Sequence, residues 1–246
     1  PRNELYLFAV ALGIKLGVKA MAIENVVYVA NLPQNIISRA LKMLEINGYS
    51  FKKATHVLHA DRYSVPQSRQ RHFLFSVKGK EEIEPFEDSL IKMHTISSGI
   101  ALDLLQSMEL KDQVLDRPAS LKEESIRRVE YLHNNDLYDL PDSQRPPCHR
   151  DNEHNYNAVY GRIFPEKPAP TITTGFLTPG RGRFTHPFSP RSLTLREGAM
   201  LQSFPLSYKW KKPGKTTTTA TLTTAIGDAV PPSLAKIVTL HLLSNL

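Results

Sequence analysis

Apolar side chains recur every three or four residues through "NELYLFAVALGIKL", residues 3 to 16, where Leu5, Ala9, Leu12 and Leu16 share one side and predict a helix. "KAMAIENVVYV" follows, with a short apolar strand at Ala20 to Ile23 that ends in a carboxylate and an amide, Glu24 and Asn25. The spacing of Ile36, Ile37, Ala40 and Leu44 predicts an amphipathic helix closed by Gly48, because glycine readily takes the left-handed conformation that ends helices. "ATHVLHA" reads as a strand, Tyr63 to Pro66 as a turn, and "RHFLFSV" as a further strand. The strand runs are apolar throughout instead of alternating, which predicts an α/β fold whose mostly parallel sheet is covered on both faces. Later in the chain, Thr194 followed three residues on by Glu197 predicts a helix opened by a capping box. "KKPGKTTTTATLTT" reads as a loop, and "PPSLAKIVTLHLLSNL" as a closing helix with proline at its start.

Periodicity weakens between these regions. Residues 79 to 165 hold one helical stretch, "LKEESIRRVEYLH", and the loop-like "NNDLYDLPDSQRPPCHRDNEHNYN". The expected division is therefore 1–78 as α/β domain, 79–165 as an inserted lobe, and 166–246 as a scaffold for the lobe with a return to the first domain. Charge sharpens this division. Net charge is +7, yet residues 81–130 carry 12 acidic against 6 basic side chains, while 31–80 carry 9 basic against 2 acidic and 160–215 carry 10 against 2. Two separated basic segments suit a polyanion such as nucleic acid. No apolar run reaches the roughly 18 residues of a membrane span, and no signal-peptide pattern opens the chain, so an intracellular protein is expected. The single cysteine excludes an internal disulfide, and no Cys/His pair has zinc-finger spacing, so no metal is expected.

Glu24 and Asn25 close a strand at the end where α/β proteins place ligands, and Glu24 there could serve as general acid or as hydrogen-bond acceptor. In "SVPQSRQRHFLFSV" an extended chain would point Gln67, Arg69 and Arg71 the same way, at the mouth of a buried strand. An arginine stays protonated and can hold a carbonyl oxygen or a phosphate. His56 and His59 read as loop or strand-end residues, not as half of a metal site.

These stretches, in order, carry a resemblance. "ENV" at 24–26, "QSRQR" at 67–71, "PAPTITTGF" at 168–176, "RSLTLREGAMLQSFP" at 191–205 and "IGDAVPPSLA" at 226–235 resemble successive motifs of the cytosine-C5 DNA methyltransferases, and "PRNELYL" resembles the segment before the family's ENV strand. The resemblance implies the later half of a Rossmann-like, S-adenosylmethionine-dependent methyltransferase domain with an inserted small recognition lobe. It implies that Glu24 meets N3 and the amine of a flipped-out cytosine beside Asn25, and that Arg71 holds the cytosine O2. Gln67 and Arg69 would support the site or the nearby backbone. Thr171, Thr173 and Thr174 with Arg191 and Arg196 would orient the lobe and contact phosphates of duplex DNA. Leu5, Asp228, Ala229 and Val230 would line the cofactor pocket.

The sequence departs from the family at Asp228, where asparagine is usual. The family's glycine-rich cofactor loop and Pro-Cys nucleophile loop have no counterpart in these residues. Cys148, in "RPPCHRD", follows "QSRQR", whereas the family's nucleophile precedes "ENV", so it reads as an ordinary lobe residue. The nucleophile is expected from an upstream segment or partner chain, with no activity without it and apolar faces left for that segment to cover. The alternatives are a non-catalytic DNA-binding subunit or degenerate relative, and a transfer RNA cytosine methyltransferase.

Overall fold

A computed structural model of the chain describes residues 4–31, 35–50, 55–79, 86, 93–151, 158–210 and 217–246. In chain order the elements are α1 (Glu4–Lys15), β1 (Ala20–Asn25), α2 (Ile36–Ile46), β2 (Tyr49–Ser50), β3 (Thr55–His59), β4 (Gln67–Ser68), β5 (Gln70–Lys78), α3 (Ser98–Ser107), α4 (Glu123–Asn134), α5 (Pro147–Arg150), β6 (Ala169–Pro170), α6 (Leu195–Leu201), α7 (Thr219–Asp228) and α8 (Pro232–Ser244). They form two compact units. Unit 1 comprises Pro1–Tyr63, Gln70–Met93 and Ser233–Leu246; unit 2 comprises Ser64–Arg69 and His94–Pro232.

Unit 1 is built on β5, which is buried from His72 to Val77 and paired on both edges. β1 lies along one edge, and β2 and β3 share the other. All three run antiparallel to β5, which corrects the expected mostly parallel sheet. Residues 60–69, between β3 and β5, carry only a 3-10 turn at Ala60–Tyr63 and the two-residue β4. That stretch is too short for the helical crossover a parallel partner needs, so β5 returns reversed. β1 and β3, with α2 between them in sequence, run in the same direction with β5 between them in the sheet. The apolar run misled because a central strand covered on both faces looks alike in either direction.

The register sorts the faces, since directly opposed residues of an antiparallel pair share a side. Met21, Ile23, Leu74 and Ser76 lie on one face, where Met21, Ile23 and Leu74 pack with Tyr6, Val10, Ala40 and Leu44 of α1 and α2. Phe73 and Phe75 stack on the other, and Phe75 meets Phe86 and, edge-on, His56 and His241 of α8. His56, the second residue of β3, is therefore a buried aromatic neighbour and not the solvated strand-end residue expected.

The buried face of α1 also differs from the expectation. Leu5, Leu12 and Leu16 are 65%, 44% and 68% exposed, while Tyr6 and Val10 face the sheet. The helix is apolar nearly all round, so spacing alone selects no side. Gly13 selects it: seven residues after Tyr6, it lets α1 approach until a methyl there would lie 2.2 Å from Met21 Sδ.

Unit 2 has one large core in which Ala101, Leu102 and Leu115 pack with Ile163, Ile172, Phe176, Leu193, Leu195, Leu201, Leu222 and Ile226. Residues on both sides of the expected boundary at 165 share that core. A smaller cluster of Val129, Leu132, Leu140, Val159 and Tyr160 gathers around α4. The predicted capping box of α6 is present, with the Thr194 side chain and Glu197 each bonding the other's backbone N–H. Residues 219–224, expected to belong to a loop, are helical within α7: the Thr218 side chain caps the first turn and burial of Leu222 and Ile226 overrides the weak helix preference of threonine. Among the described residues no helix is long and apolar enough to cross a membrane.

Two glycines separate a cheap close approach from a costly one. At Gly13 an added methyl meets the tip of a flexible methionine, whereas at Gly227 it would lie 2.3 Å from Thr174 N and 2.4 Å from Thr173 C, both backbone. Gly227→Ala should therefore cost about 1–3 kcal/mol, the usual range for overpacking. Gly13→Ala should cost less. Urea midpoints at unchanged m-value measure both.

Candidate active site

In unit 1 the register fixes a polar pair at the carboxyl end of β1. Glu24 opposes Phe73. Arg71, two residues before Phe73, lies on the same face as its diagonal neighbour. Arg71 Nε forms an ion pair with Glu24 Oε1 at 2.8 Å, with side chains 16% and 26% exposed, and Nη1 donates to the Gln70 carbonyl at 2.8 Å. Among the described residues no contact takes Nη2. Asn25 opposes His72 on the other face, and its Oδ1 accepts from Val26 N at 2.8 Å. Burial holds the His72 imidazole below its ordinary pKa. Glu24 and Arg71, 47 positions apart in sequence, thus meet as expected.

Gln67 and Arg69 do not share that location: they belong to unit 2 and are 0% and 2% exposed. β4 ends at Ser68, so the alternation expected to align three side chains is broken between Arg69 and Arg71. Gln67 Nε2 donates to Gln202 Oε1 at 2.9 Å and to the Leu201 carbonyl, and its Oε1 accepts from Ile172 N at 2.7 Å. Gln202 Nε2 donates onward to the Ile226 carbonyl at 2.6 Å. Arg69 Nη1 donates to the carbonyls of Ile172 and Gly227 at 3.0 and 3.1 Å. Of the two supporting roles expected for this pair, bracing nearby backbone is the one these bonds make. Gln202 went unmarked in the sequence, although it sits in the quoted "LQSFP"; glutamine carries no charge pattern that announces burial.

Thr173 and Thr174 are exposed, and Thr171 Oγ1 donates to the Ser68 carbonyl at 2.9 Å. Arg191 and Arg196 are spent within unit 2. Arg191 forms a two-pronged pair with Glu197 at 2.9 and 2.7 Å, and Arg196 one with Asp116 at 2.5 and 3.0 Å. Their guanidiniums are neutralised by carboxylates, which fits orientation of the lobe and weakens the expectation that they hold phosphates. Asp116 was hidden in the acidic segment, where nothing distinguishes it from solvated neighbours. These groups line a polar concavity of about 300 Å³ together with His186, Thr194 and Gln106. Cys148 is exposed in α5 of unit 2. No group of three or more metal-ligating side chains occurs among the described residues.

Residues 1–244 match the family described as C-5 cytosine-specific DNA methylase. The chain belongs to that family. It is 34% identical over 246 residues to the Type II methyltransferase M1.BsuMI of Bacillus subtilis (strain 168), covering 98% of this chain and 55% of that protein. It is 30% identical over 224 residues to the Type II methylase M.HgiDII of Herpetosiphon aurantiacus, covering 89% of this chain and 62% of that protein. The chain thus spans little more than half the length of these relatives. Among solved structures it shares the fold of Spodoptera frugiperda DNMT2, with TM-score 0.60 and 12% identity over 97% of this chain and 71% of that one. The S. pombe Dnmt2 methyltransferase gives TM-score 0.52 and 15% identity over 92% and 66%.

In this methylase chain the residues expected at the cofactor divide between the units. Leu5 offers an exposed apolar side chain in unit 1; Asp228, at the end of α7, is exposed in unit 2, with Ala229 and Val230 half-buried after it. An apolar side chain for a purine and a carboxylate for an ammonium are chemically suited to S-adenosylmethionine.

The charge cluster of unit 2 carries a pH signature. His186 Nδ1 accepts from Phe188 N at 3.1 Å, which places the ring proton on Nε2, 3.5 Å from Glu197 Oε1. Burial, opposed by the Glu197 charge, pushes the His186 pKa down to about 4. For Glu197 burial, the largest single influence, works upward, but the Arg191 hydrogen bonds and charge, the His186 charge and the Thr194 backbone bond together outweigh it and hold the carboxyl below its usual range. Between about pH 6.5 and pH 4 the unfolded chain takes up a proton that folded His186 refuses. Stability should be fully present above that window and fall as pH is lowered through it, with Glu197 adding to the loss at more acid pH. Urea midpoints measured across pH should show this decline in the native chain and a flatter profile in His186→Gln.

Proposed function

We propose that this chain is the part of a DNA cytosine-C5 methyltransferase that binds the target base, with S-adenosylmethionine as methyl donor and duplex DNA as substrate. The observation that carries the reading is the Glu24–Arg71 pair on one face of the sheet. A cytosine offers N3, the C4 amine and O2 along one edge. A carboxyl group serves the first two and a guanidinium the third, so one acid beside one arginine matches that edge in chemistry and order. Glu24 holds the proton at N3, which drains electrons from the ring and makes C6 open to attack by a thiolate. Arg71 has Nη2 to give to O2, where negative charge builds as the nucleophile adds. Asn25 supports this end of β1. The cofactor supplies an electrophilic methyl group.

The thiolate belongs to a residue outside these 246. Cys148 stands exposed in unit 2, whereas Glu24 and Arg71 belong to unit 1. The exposed apolar side of α1, with Leu5, Phe8, Leu12 and Leu16 between 44% and 68% exposed, supports a further segment or chain packing there. Thr173, Thr174, Arg191 and Arg196 shape the recognition lobe that meets the duplex, braced beneath by Gln67 and Arg69.

In the full-length protein, Glu24→Gln should lower kcat by about 10²–10⁴-fold, the usual worth of a general acid. Arg71→Ala should lower it by about 10²-fold or more through loss of one charge-stabilising donor. Transfer of labelled methyl groups to duplex DNA and, in parallel, to transfer RNA measures both effects and identifies the substrate. Wild-type rates in either variant would remove that residue from the site.

A further inference from the structure

Between Lys167 and Arg196 the chain carries five cations and no acid. Four of the five are engaged. Lys167 Nζ sits 4.8 Å from the Phe164 ring centroid, Arg183 donates to Asp139 and to the carbonyls of Tyr138 and Arg162, Arg191 pairs with Glu197, and Arg196 pairs with Asp116. Arg181 differs. It is exposed, and among the described residues it has no acidic partner.

Its position is also built. A methyl on Gly175 would lie 2.5 Å from Arg181 Cδ and 3.4 Å from its Nη1, so only a glycine there lets the side chain rest along the loop. The loop itself is tied by Thr178 N to Gly175 O at 2.9 Å and Arg181 N to Thr178 O at 2.9 Å. The result is a guanidinium with a packed stem and a solvated head, beside the exposed hydroxyl residues Thr174 and Thr178. Holding the stem reduces the rotamer entropy lost when the head binds an anion.

We propose that Arg181, positioned by Gly175, is the nucleic-acid phosphate contact of this loop, in place of the neutralised Arg191 and Arg196. The inference rests on the reading of the chain as a DNA methyltransferase. A phosphate is the occupant to which the inference commits; the other partner of a lone guanidinium, the O6/N7 edge of a guanine, would favour the cognate duplex and is an outcome of the test.

The test is duplex binding by the full-length protein as a function of salt, on a cognate and a scrambled duplex. Arg181→Ala should weaken both equally and reduce the slope of log K against log salt by about 0.9, one phosphate's worth. Gly175→Ala, with thermal unfolding confirming a folded protein, should lose part of the same slope. Arg127→Ala, which removes an exposed arginine paired with Glu123 on α4, should leave the slope alone. An unchanged slope in Arg181→Ala overturns the proposal, as does loss confined to the cognate duplex, which would mark a base contact. A wild-type protein that binds no duplex sinks the methyltransferase reading itself; wild-type methylation with an unchanged Arg181→Ala slope sinks this inference alone.

Discussion

A buried guanidinium governs how unit 2 is put together. Arg69 is 2% exposed, and a cation withdrawn from water must be repaid by strong hydrogen bonds or the fold would reject it. Here the repayment includes two carbonyls, those of Ile172 and Gly227. Gln67, two residues earlier, completes the arrangement through Ile172, Leu201 and Gln202, and Gln202 reaches Ile226. Four stretches far apart in sequence, at residues 67–69, 172, 201–202 and 226–227, are thereby fixed in one place. Such a network tolerates little change, since an unsatisfied member in a low-dielectric interior costs more than the bond it made. The close packing of Gly227 on the Thr173–Thr174 backbone follows from it: a carbonyl can come within reach of Arg69 only if no side chain stands between the two segments.

The other arginines sort by the same competition between solvation and pairing. Arg71, partly exposed, pairs with one carboxylate through one nitrogen and retains donor capacity. Arg191 and Arg196 meet carboxylates in two-pronged geometry, the arrangement a guanidinium favours most, and have little left to offer an incoming anion. Glu197 stands at the centre: it closes the capping box of α6, holds Arg191 and faces His186, so one carboxylate satisfies a helix terminus and neutralises a cation. The basic balance of residues 160–215 therefore overstates the field presented to a polyanion.

The sequence made the elements legible where local chemistry decided them. The capping box at Thr194, the left-handed Gly48 with φ +76° after α2, and the core strand buried through Val77 follow from rules that act over a few residues. Motif order also carried the meeting of Glu24 with Arg71. What was not legible depended on partners distant in sequence. The direction of β5 turned on the brevity of the link from β3, the buried side of α1 on Gly13 meeting Met21, and the helicity of 219–224 on burial of Leu222 and Ile226. His56 looked like a polar residue near a strand end, and only the rings of Phe75 and Phe86 beside it explain its burial.

The stretch "QSRQR" shows why alternation is a weak guide where a chain changes units. Period-two reasoning assumes one continuous strand, but β4 ends at Ser68, and β5 begins at Gln70 in the other unit. Across that break, residues two apart no longer share a face or an environment. Arg69 is drawn inward by carbonyls, whereas Arg71 is drawn to a carboxylate at the sheet's edge. Two arginines separated by one residue thus take different partners, one bonded to buried carbonyls and one paired with a carboxylate. Spacing in the sequence aligned them, but hydrogen-bond acceptors decided where each one went.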